Sequence, residues 1–247
     1  MTSLQPSWPA IPWQRFQATQ ASLHMWSQIV GKFRLANTPW LNHSWHATLY
    51  VTARGLSTGI IPGEGQAFEV LFDFRRHVLV IDSTAGHSEE IALRPMSVAV
   101  FHAEFQEALG RLGAPTRFHG SPNEVPEAIP FAEQTAEGAY DPAAAHDFWR
   151  ALVAIHQVFA EFRTGFLGKV SPPHFFWGSF DFAITRFSGE TAPLHPGGFP
   201  NLPDEVTREA YSHEVSSAGF WPGGGGVEEA MFYSYAYPVP EGFKERA

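Results

Sequence analysis

The stretch AFEVLFDFRRHVLVIDSTAG, residues 67–86, decides the fold class. Its first half places a large apolar side chain at every second position, which is the period of a strand with one buried face. A second apolar run begins soon after Arg75 and Arg76, so the two runs are predicted to pair as antiparallel strands around a tight turn. The residues predicted to form the inward face are Phe68, Val70, Phe72 and Phe74.

Three helices and several further strands are predicted around this pair. Apolar residues at three- and four-residue intervals predict a helix from Thr19 to Ala36, a second from Pro95 to Gly113 and a third from Asp141 to Gly165. Further strands are expected at residues 44–55, 211–221 and 231–238, with the glycine run 223–226 as a hairpin connection. Antiparallel-looking strands in two groups with about three main helices indicate an α+β fold rather than a doubly wound sheet.

Composition excludes several classes of partner. The net charge is -9 and the acidic excess follows Asn123, which argues against nonspecific binding to nucleic acid. No basic amphipathic stretch suits a membrane surface, and no apolar run is long enough to span a bilayer. There are no cysteines, so disulfides, thiolate nucleophiles and cysteine-ligated metals are excluded. We expect a cytoplasmic protein whose partner is a small molecule or another protein.

The segment at residues 120–142 is rich in proline and glutamate and is the only good candidate for an internal boundary. Its apolar anchors Ile129 and Phe131 indicate that it crosses the surface of the molecule. The chain of 247 residues could be one large domain or two small ones, and any subdivision is expected near 120–140. The opening dozen residues are expected to form an extended arm held to the body by Trp8 and Trp13.

The aromatic stretch GKVSPPHFFWGSFDFAITRF, residues 168–187, carries polar side chains among apolar ones. Read as one central strand covered on both faces, it places His174 on one face and Asp181 on the other. A buried charged group must find a partner or change its protonation state. The segment at residues 208–223 repeats the combination, with Tyr211, His213 and Trp221 sharing one face and Glu214 on the other.

The leading hypothesis is an enzyme acting on a small aromatic or anionic molecule where these two strands meet. His174 and His213 would act as general acid and base or as metal ligands, with Asp181 and Glu214 orienting them. Lys169 would attract an anionic group on the ligand. The residues expected to form the pocket walls are Trp45, Trp177, Tyr211 and Trp221.

A divalent metal is an alternative way to use the same histidines. The candidate ligands are His46, His174 and His213. The spacing of His43 and His46 would bring them together on a helix but separates them on the strand that this segment is predicted to form. No nucleotide-cofactor motif is present, since neither GxxxxGK nor a GxGxxG turn leading into a helix occurs.

Three other readings remain open. The polar residues of the aromatic strands could be structural, with Asp181 paired to an arginine or capping a neighbouring loop and His174 bonded to backbone. The protein could bind a small molecule without converting it, and the tyrosines of residues 231–238 could line its pocket or only form a sheet face. Alternatively, exposed aromatics such as Trp8, Trp13 and Trp40 could form a protein-interaction surface.

Four segments carry a resemblance to a known family: residues 45–58, 168–189, 206–223 and 232–238. Through WHATLYVTARGLST, GKVSPPHFFWGSFDFAITRFSG, VTREAYSHEVSSAGFWPG and FYSYAYP, the chain resembles a bacterial family known only as a domain of unknown function. The likeness runs from the early Pro-Trp segment to the tyrosines and implies a single full-length domain. It implies no activity, cofactor or catalytic residue.

Overall fold

The computed structural model describes residues 8–243 and residue 245, and the first seven residues of the expected N-terminal arm lie outside that range. Within it, the fold is α+β, as predicted: two antiparallel sheets of five and four strands are packed with four helices. None of these helices combines the length and the apolar character that crossing a bilayer requires.

The first sheet is a meander with strand order β1-β2-β3-β4-β5. Its strands are β1 (Tyr50–Val51), β2 (Gly55–Pro62), β3 (Ala67–Asp73), β4 (Val78–Ser83) and β5 (Ser88–Ala92). The predicted hairpin at residues 67–86 is confirmed, since Phe68 pairs with Ser83 and Asp73 pairs with Val78. Its alternating phenylalanines and valine are buried, as the period of two requires.

The second sheet has the order β6-β7-β8-β9 and contains the aromatic segments in which the candidate site residues were predicted. Its strands are β6 (His174–Phe176), β7 (Asp181–Thr191), β8 (His213–Trp221) and β9 (Met231–Tyr237). The strands predicted at residues 211–221 and 231–238 are confirmed, with Gly219 opposite Tyr233.

Two strand predictions are wrong. Residues 168–187 do not form one strand, because the chain turns at residues 177–180 and β6 pairs back onto β7. Residues 44–55 are also not one strand, since Asn42–Ala47 form a 3₁₀ helix and only Tyr50–Val51 belong to β1. In both segments polar and apolar residues alternate as they would in a strand, but the backbone forms a 3₁₀ helix in one and a turn in the other.

The helices are α1 (Trp13–Asn37), α2 (Val98–Arg111), α3 (Pro142–Thr164) and α4 (Asp204–Ala210). The start of α3 is as predicted: Asp141 caps it by accepting hydrogen bonds from the first-turn backbone, and Pro142 occupies a position that needs no N–H donor. The helix α1 begins earlier than predicted, at Trp13, and α2 begins later, with Ser97 rather than Pro95 at its start.

The helix α1 links the two sheets through a continuous aromatic core. Its Trp26 stacks on Phe101 of α2, with ring centroids 4.9 Å apart. Phe148 of α3 packs against Phe180, next to the second sheet. The buried cluster contains side chains from both sheets and from Phe131 of the segment at residues 120–142, while Ile129 of that segment is exposed. This packing fixes α1 beside the turn that follows β6.

Candidate functional site

A cavity of about 1020 Å³ lies over one face of the second sheet. Its size suits a small organic molecule. Its walls come from α1, the 3₁₀ helix, the segment near Asn123, the turn between β6 and β7, strands β7 to β9, and residues 199–211. The aromatic side chains that line it are Trp40, Trp45, Phe176, Trp177, Phe187, Phe199, Tyr211, Trp221, Tyr233 and Tyr235.

Trp177 is fixed at the base of the cavity by two features. Its indole Nε1 donates a hydrogen bond of 2.6 Å to the carbonyl of Ala47. The ring also occupies the place that a Cβ at Gly31 would take, so α1 needs a residue without a side chain there. The indole therefore has one position, and the small part of it that lines the cavity is already ordered.

Two hydrogen bonds and one ring stack connect the tyrosine wall to Asp181. The Tyr211 hydroxyl donates to the Tyr235 hydroxyl at 3.1 Å, and the Tyr235 ring stacks on that of Tyr233. The Tyr233 hydroxyl donates to Asp181 Oδ2, and Ser179 Oγ donates to Asp181 Oδ1 at 2.5 Å. Burial raises the pKa of Tyr211 and Tyr233, so both phenols remain donors at neutral pH.

The carboxyl group of Asp181 is therefore held at both oxygens. Burial raises its pKa, while the donated hydrogen bonds from Ser179 and Tyr233 oppose that increase by stabilising the carboxylate. Because both donors lie within the protein, the orientation of the carboxylate does not depend on a ligand.

Glu124 is a second carboxyl group in the cavity, and sequence analysis did not identify it. Burial and the charge of Asp181 raise its pKa to about 7, although Lys32 opposes the shift. Within the described residues, its carboxyl oxygens have no hydrogen-bond partner. Its backbone adopts φ = 58°, a left-handed conformation that is uncommon for a residue with a side chain. Such strain is often found at functional sites.

The side chain of Gln28 on α1 holds Glu124 close to the turn between β6 and β7. This fully buried amide donates to the Asn123 carbonyl at 2.7 Å and accepts from the Asn123 backbone N–H at 2.9 Å. It also donates to the Gly178 carbonyl at 3.3 Å. A Cβ at Gly178 would overlap the Glu124 carboxyl group. The glycine thus leaves room for the acid that Gln28 positions.

Lys32 is the amino group of the cavity. Its Nζ donates to Asn123 Oδ1 and lies 5.8 Å from the centre of the Trp177 ring. Burial lowers its pKa to about 8, and Glu124 partly offsets the decrease. The Lys32 amino group therefore already interacts with the loop that carries Glu124, through Asn123 and through Glu124 itself.

Five of the predicted site residues line this cavity. They are Trp45, Trp177, Asp181, Tyr211 and Trp221. The prediction that His174 and Asp181 lie on opposite faces is wrong. His174 pairs with Ala183 of β7, and Ala183 lies on the same face of the sheet as Asp181. His174 nevertheless does not reach the cavity: it is 1% exposed and packed against Trp45 and Tyr50.

The other predicted site residues lie elsewhere. His213 is exposed at the start of β8, and Glu214 accepts a hydrogen bond of 2.9 Å from Ser188. Lys169 is exposed in the loop before β6 and does not line the cavity. His46 is buried, with its Nδ1 against the Leu41 backbone. The structure therefore does not assemble the acid and base pair expected of His174 and His213.

The metal hypothesis gains no support from this placement. His46 contacts the Leu41 backbone, His174 bonds to Thr48 Oγ1 at 2.8 Å, and His213 bonds to Ser212. No group of three or more histidine, aspartate and glutamate side chains within the described range is arranged to hold a metal ion.

Of the tryptophans expected to form an interaction surface, Trp8 and Trp40 are exposed, as the hypothesis requires, but all three also have partners within the chain. Trp8 packs edge-on against Phe232 at 6.3 Å, and Trp40 donates its indole N–H to Glu209 at 2.9 Å. Trp13 lies against Gly223 of the glycine run, where an added Cβ would be 2.9 Å from its ring. Trp40 also lines the cavity.

Comparison with known proteins identifies the family. No curated protein and no solved structure matches the chain. A family model described as a family of unknown function, DUF5996, matches residues 8–247. The match confirms the resemblance in the sequence and covers the whole candidate site. The chain belongs to the DUF5996 family of unknown function.

Proposed function

We propose that this protein is an enzyme that uses Glu124 and Asp181 for acid and base catalysis on a small aromatic molecule. The observation that carries the proposal is the open carboxyl group of Glu124, held in the cavity with a pKa of about 7. A group with a pKa near the working pH can both give and take a proton efficiently. The roles that the sequence suggested for His174 and His213 fall instead to these two acids.

Glu124 is suited to the proton-transfer role because its oxygens are not committed to the protein. Purely structural carboxylates that are buried are normally hydrogen-bonded or paired with a charge. Here the fold excludes a Cβ at Gly178 to make room for the acid and accepts a strained backbone to aim it. The left-handed backbone costs stability, and the opposite charge of Lys32 offsets the burial of the carboxyl group only in part, because its pKa remains raised.

Asp181 is suited to the complementary role of a fixed polar group. Ser179 and Tyr233 hold its two oxygens, so it can orient a polar substituent of the ligand and stabilise positive charge that develops beside it. Its charge adds to burial in raising the pKa of Glu124 to about 7, so that both protonation states of Glu124 are populated near neutral pH. Two carboxyl groups with different surroundings can take different roles at one pH.

The aromatic walls indicate the shape of the ligand. Trp45, Trp177 and Trp221 present flat apolar surfaces, and the tyrosines add hydroxyl groups at one side. An aromatic ring could pack between these walls while its polar substituent reaches Glu124 and Asp181. Binding and positioning of this kind also contribute to catalysis.

The test begins with a library of small aromatic molecules. Ligand-observed NMR would identify binders, and each binder would then be incubated with protein and followed by NMR for conversion. Glu124→Gln keeps the shape of the side chain but removes its titration, and the exposed Glu127→Gln is the matched control from the same segment. We expect native protein and Glu127→Gln to convert at least one binder.

The Glu124→Gln variant should bind that compound within about tenfold of native affinity but convert it more than about 100-fold more slowly, the usual size of an acid and base contribution. Full activity in Glu124→Gln would refute the role of this residue. Tight binders that remain unchanged from pH 5 to pH 9 would instead favour a noncatalytic binding protein. The hydrogen bonds of Tyr211 to Tyr235 and of Tyr233 to Asp181, made within the protein, are also compatible with that second function.

A further inference from the structure

We propose that the ligand of this cavity carries a positively charged amino group next to its aromatic ring. The inference rests on the proposed function and names the substrate class of the same site. Two carboxyl groups, Glu124 and Asp181, face the cavity, and only one amino group, that of Lys32, accompanies them. The arrangement therefore favours a cation over an anion.

The contacts that Lys32 already makes also favour a cationic ligand over an anionic one. Its Nζ already donates to Asn123 Oδ1 and lies near the Trp177 ring. An anionic ligand would have to share this amino group while approaching two carboxyl groups of its own sign. The attraction expected of Lys169 cannot assist, because that residue is exposed outside the cavity.

The contacts that remain open are those a cation would use. The carboxyl oxygens of Glu124 accept no hydrogen bond within the described chain, so an ammonium group could donate to them. The surrounding tyrosine and tryptophan rings present negative π faces, which attract cations. Among them, Tyr211 and Tyr235 are joined through their hydroxyl groups, so their rings form a continuous wall.

The charge of the site depends on all the groups that face Glu124. Asp181 on β7 and Lys32 on α1 act on its titration, and Glu124 in turn acts on Tyr211 before β8. Tyr233 on β9 reaches the site through Asp181. Two histidines also line the cavity, but each has one ring nitrogen bonded to backbone: His43 to Ala210 and His119 to Ser121.

Glu124 gains its negative charge as the pH rises through about 7, and Lys32 begins to lose its positive charge near 8. Both changes make the cavity more negative. An alkylammonium ligand with a pKa of about 10 stays charged over this range, so its affinity should increase with pH.

Three indole probes of similar size test the inference by calorimetry. Tryptamine is a cation, tryptophol is neutral, and indole-3-propionate is an anion. At pH 8 we expect tryptamine to bind native protein at least about tenfold more tightly than the other two, which corresponds to about 1.4 kcal/mol. At pH 5.5 this preference should decrease severalfold. Glu124→Gln should show the reduced preference at both pH values, whereas Glu127→Gln should behave like native protein.

Equal or tighter binding of tryptophol or indole-3-propionate at pH 8 would overturn the inference, as would failure of tryptamine to bind at millimolar concentration. The enzyme proposal and the charge preference can be refuted independently of each other. If neutral or anionic aromatics bind and are converted through Glu124, catalysis stands and the cationic substrate class is wrong. If tryptamine is preferred but no cationic aromatic is converted, the charge preference stands and the protein is a binder.

Discussion

Tyr233 lies directly over Gly219 of the neighbouring strand, and its phenol ring occupies the place that a side chain at Gly219 would take. This close approach brings the hydroxyl group to Asp181. A cross-strand pair in an antiparallel sheet normally has two side chains next to each other. Here one is absent, so the other can lie across the sheet and reach the polar centre of the cavity.

Replacing Gly219 with alanine should therefore displace Tyr233. We expect Gly219→Ala to lower the free energy of unfolding by about 1–3 kcal/mol, the usual cost of overpacking. The pKa of Asp181 should rise because it loses a hydrogen-bond donor. Urea unfolding and carbon-detected NMR titration would measure the two effects.

Two variants serve as controls for Gly219→Ala. Tyr233→Phe should raise the pKa of Asp181 without an overpacked contact. Gly110→Ala in α2, where an added Cβ meets no atom within 4 Å, should increase stability by roughly 0.5–1 kcal/mol through helix propensity. Native stability and an unchanged Asp181 titration in Gly219→Ala would show that Tyr233 does not depend on this glycine.

Gln28 gives a second prediction, since one buried amide holds two parts of the site together. Gln28→Leu leaves the backbone N–H and carbonyl of Asn123 without this partner, and a buried polar group left in this way costs about 1–3 kcal/mol. We expect a loss of at least about 2 kcal/mol in urea unfolding. Gln17→Leu, exposed on the same helix, should change stability by less than about 0.5 kcal/mol.

The same substitution should alter the titration of Glu124. Without Gln28 the loop is no longer tied to the turn at Gly178, so Glu124 becomes more hydrated and its pKa should decrease from about 7. NMR titration of labelled glutamate would follow it. A stable Gln28→Leu variant with an unaltered Glu124 titration would mean that other contacts position the acid.

The sequence could predict the features that depend on local periodicity. The hairpin at residues 67–86 and strand β9 each have side chains that alternate over a single regular segment, so the period of two identified them. The same reasoning failed for residues 168–187, which form two strands joined by a turn rather than one strand. Phe180 adopts φ = 59° in the turn there, a conformation usually given to glycine or asparagine, so the residue type gives no sign of a turn.

The candidate site was only partly predictable, because its members come together through the fold. Asp181 and Trp177 were identified since polar and aromatic residues crowd one short stretch. Glu124 lies in a proline-rich connection that looked like a boundary, and only its contact with Gln28 and the turn at Gly178 brings it to the cavity. The residues around it, among them Pro126, carry no periodic pattern that could reveal this position.

The raised pKa of Glu124 gives a third prediction, on stability. The pKa is 4.5 for an ordinary glutamate and about 7 in the folded protein, so between these values the folded state binds the proton more tightly than the unfolded state. The contribution of Glu124 to stability is therefore present below pH 4.5 and is lost as the pH rises to about 7. The loss should be on the order of 3 kcal/mol.

Glu124→Gln lacks this titration, so its stability relative to native protein should increase by that amount between pH 4 and pH 8. Urea unfolding at several pH values would measure the difference. The exposed control Glu127→Gln should keep a constant difference from native protein. A constant difference for Glu124→Gln as well would contradict the raised pKa.

His174 gives a fourth prediction, with the opposite dependence on pH. Burial lowers its pKa from 6.5 to about 3, and the positive charges of Arg34 and Arg163 act in the same direction. The unfolded state therefore binds a proton on this residue more readily than the folded state between pH 6.5 and pH 3. Stability from the neutral imidazole is complete above pH 6.5 and decreases as the pH falls, by on the order of 5 kcal/mol in total.

His174→Leu should remove much of this acid sensitivity, although it also loses the hydrogen bond to Thr48 and should be less stable than native protein at pH 8. Thr48→Val deletes the same hydrogen bond but keeps the imidazole, so it should remain sensitive to acid. Urea unfolding between pH 8 and pH 4 would compare the three proteins. If His174→Leu loses stability in acid as steeply as native protein, the sensitivity belongs to other groups. Because His174 does not line the cavity, a folded His174→Leu protein should also bind the aromatic ligands of native protein, whereas a residue acting directly on the ligand would not be dispensable.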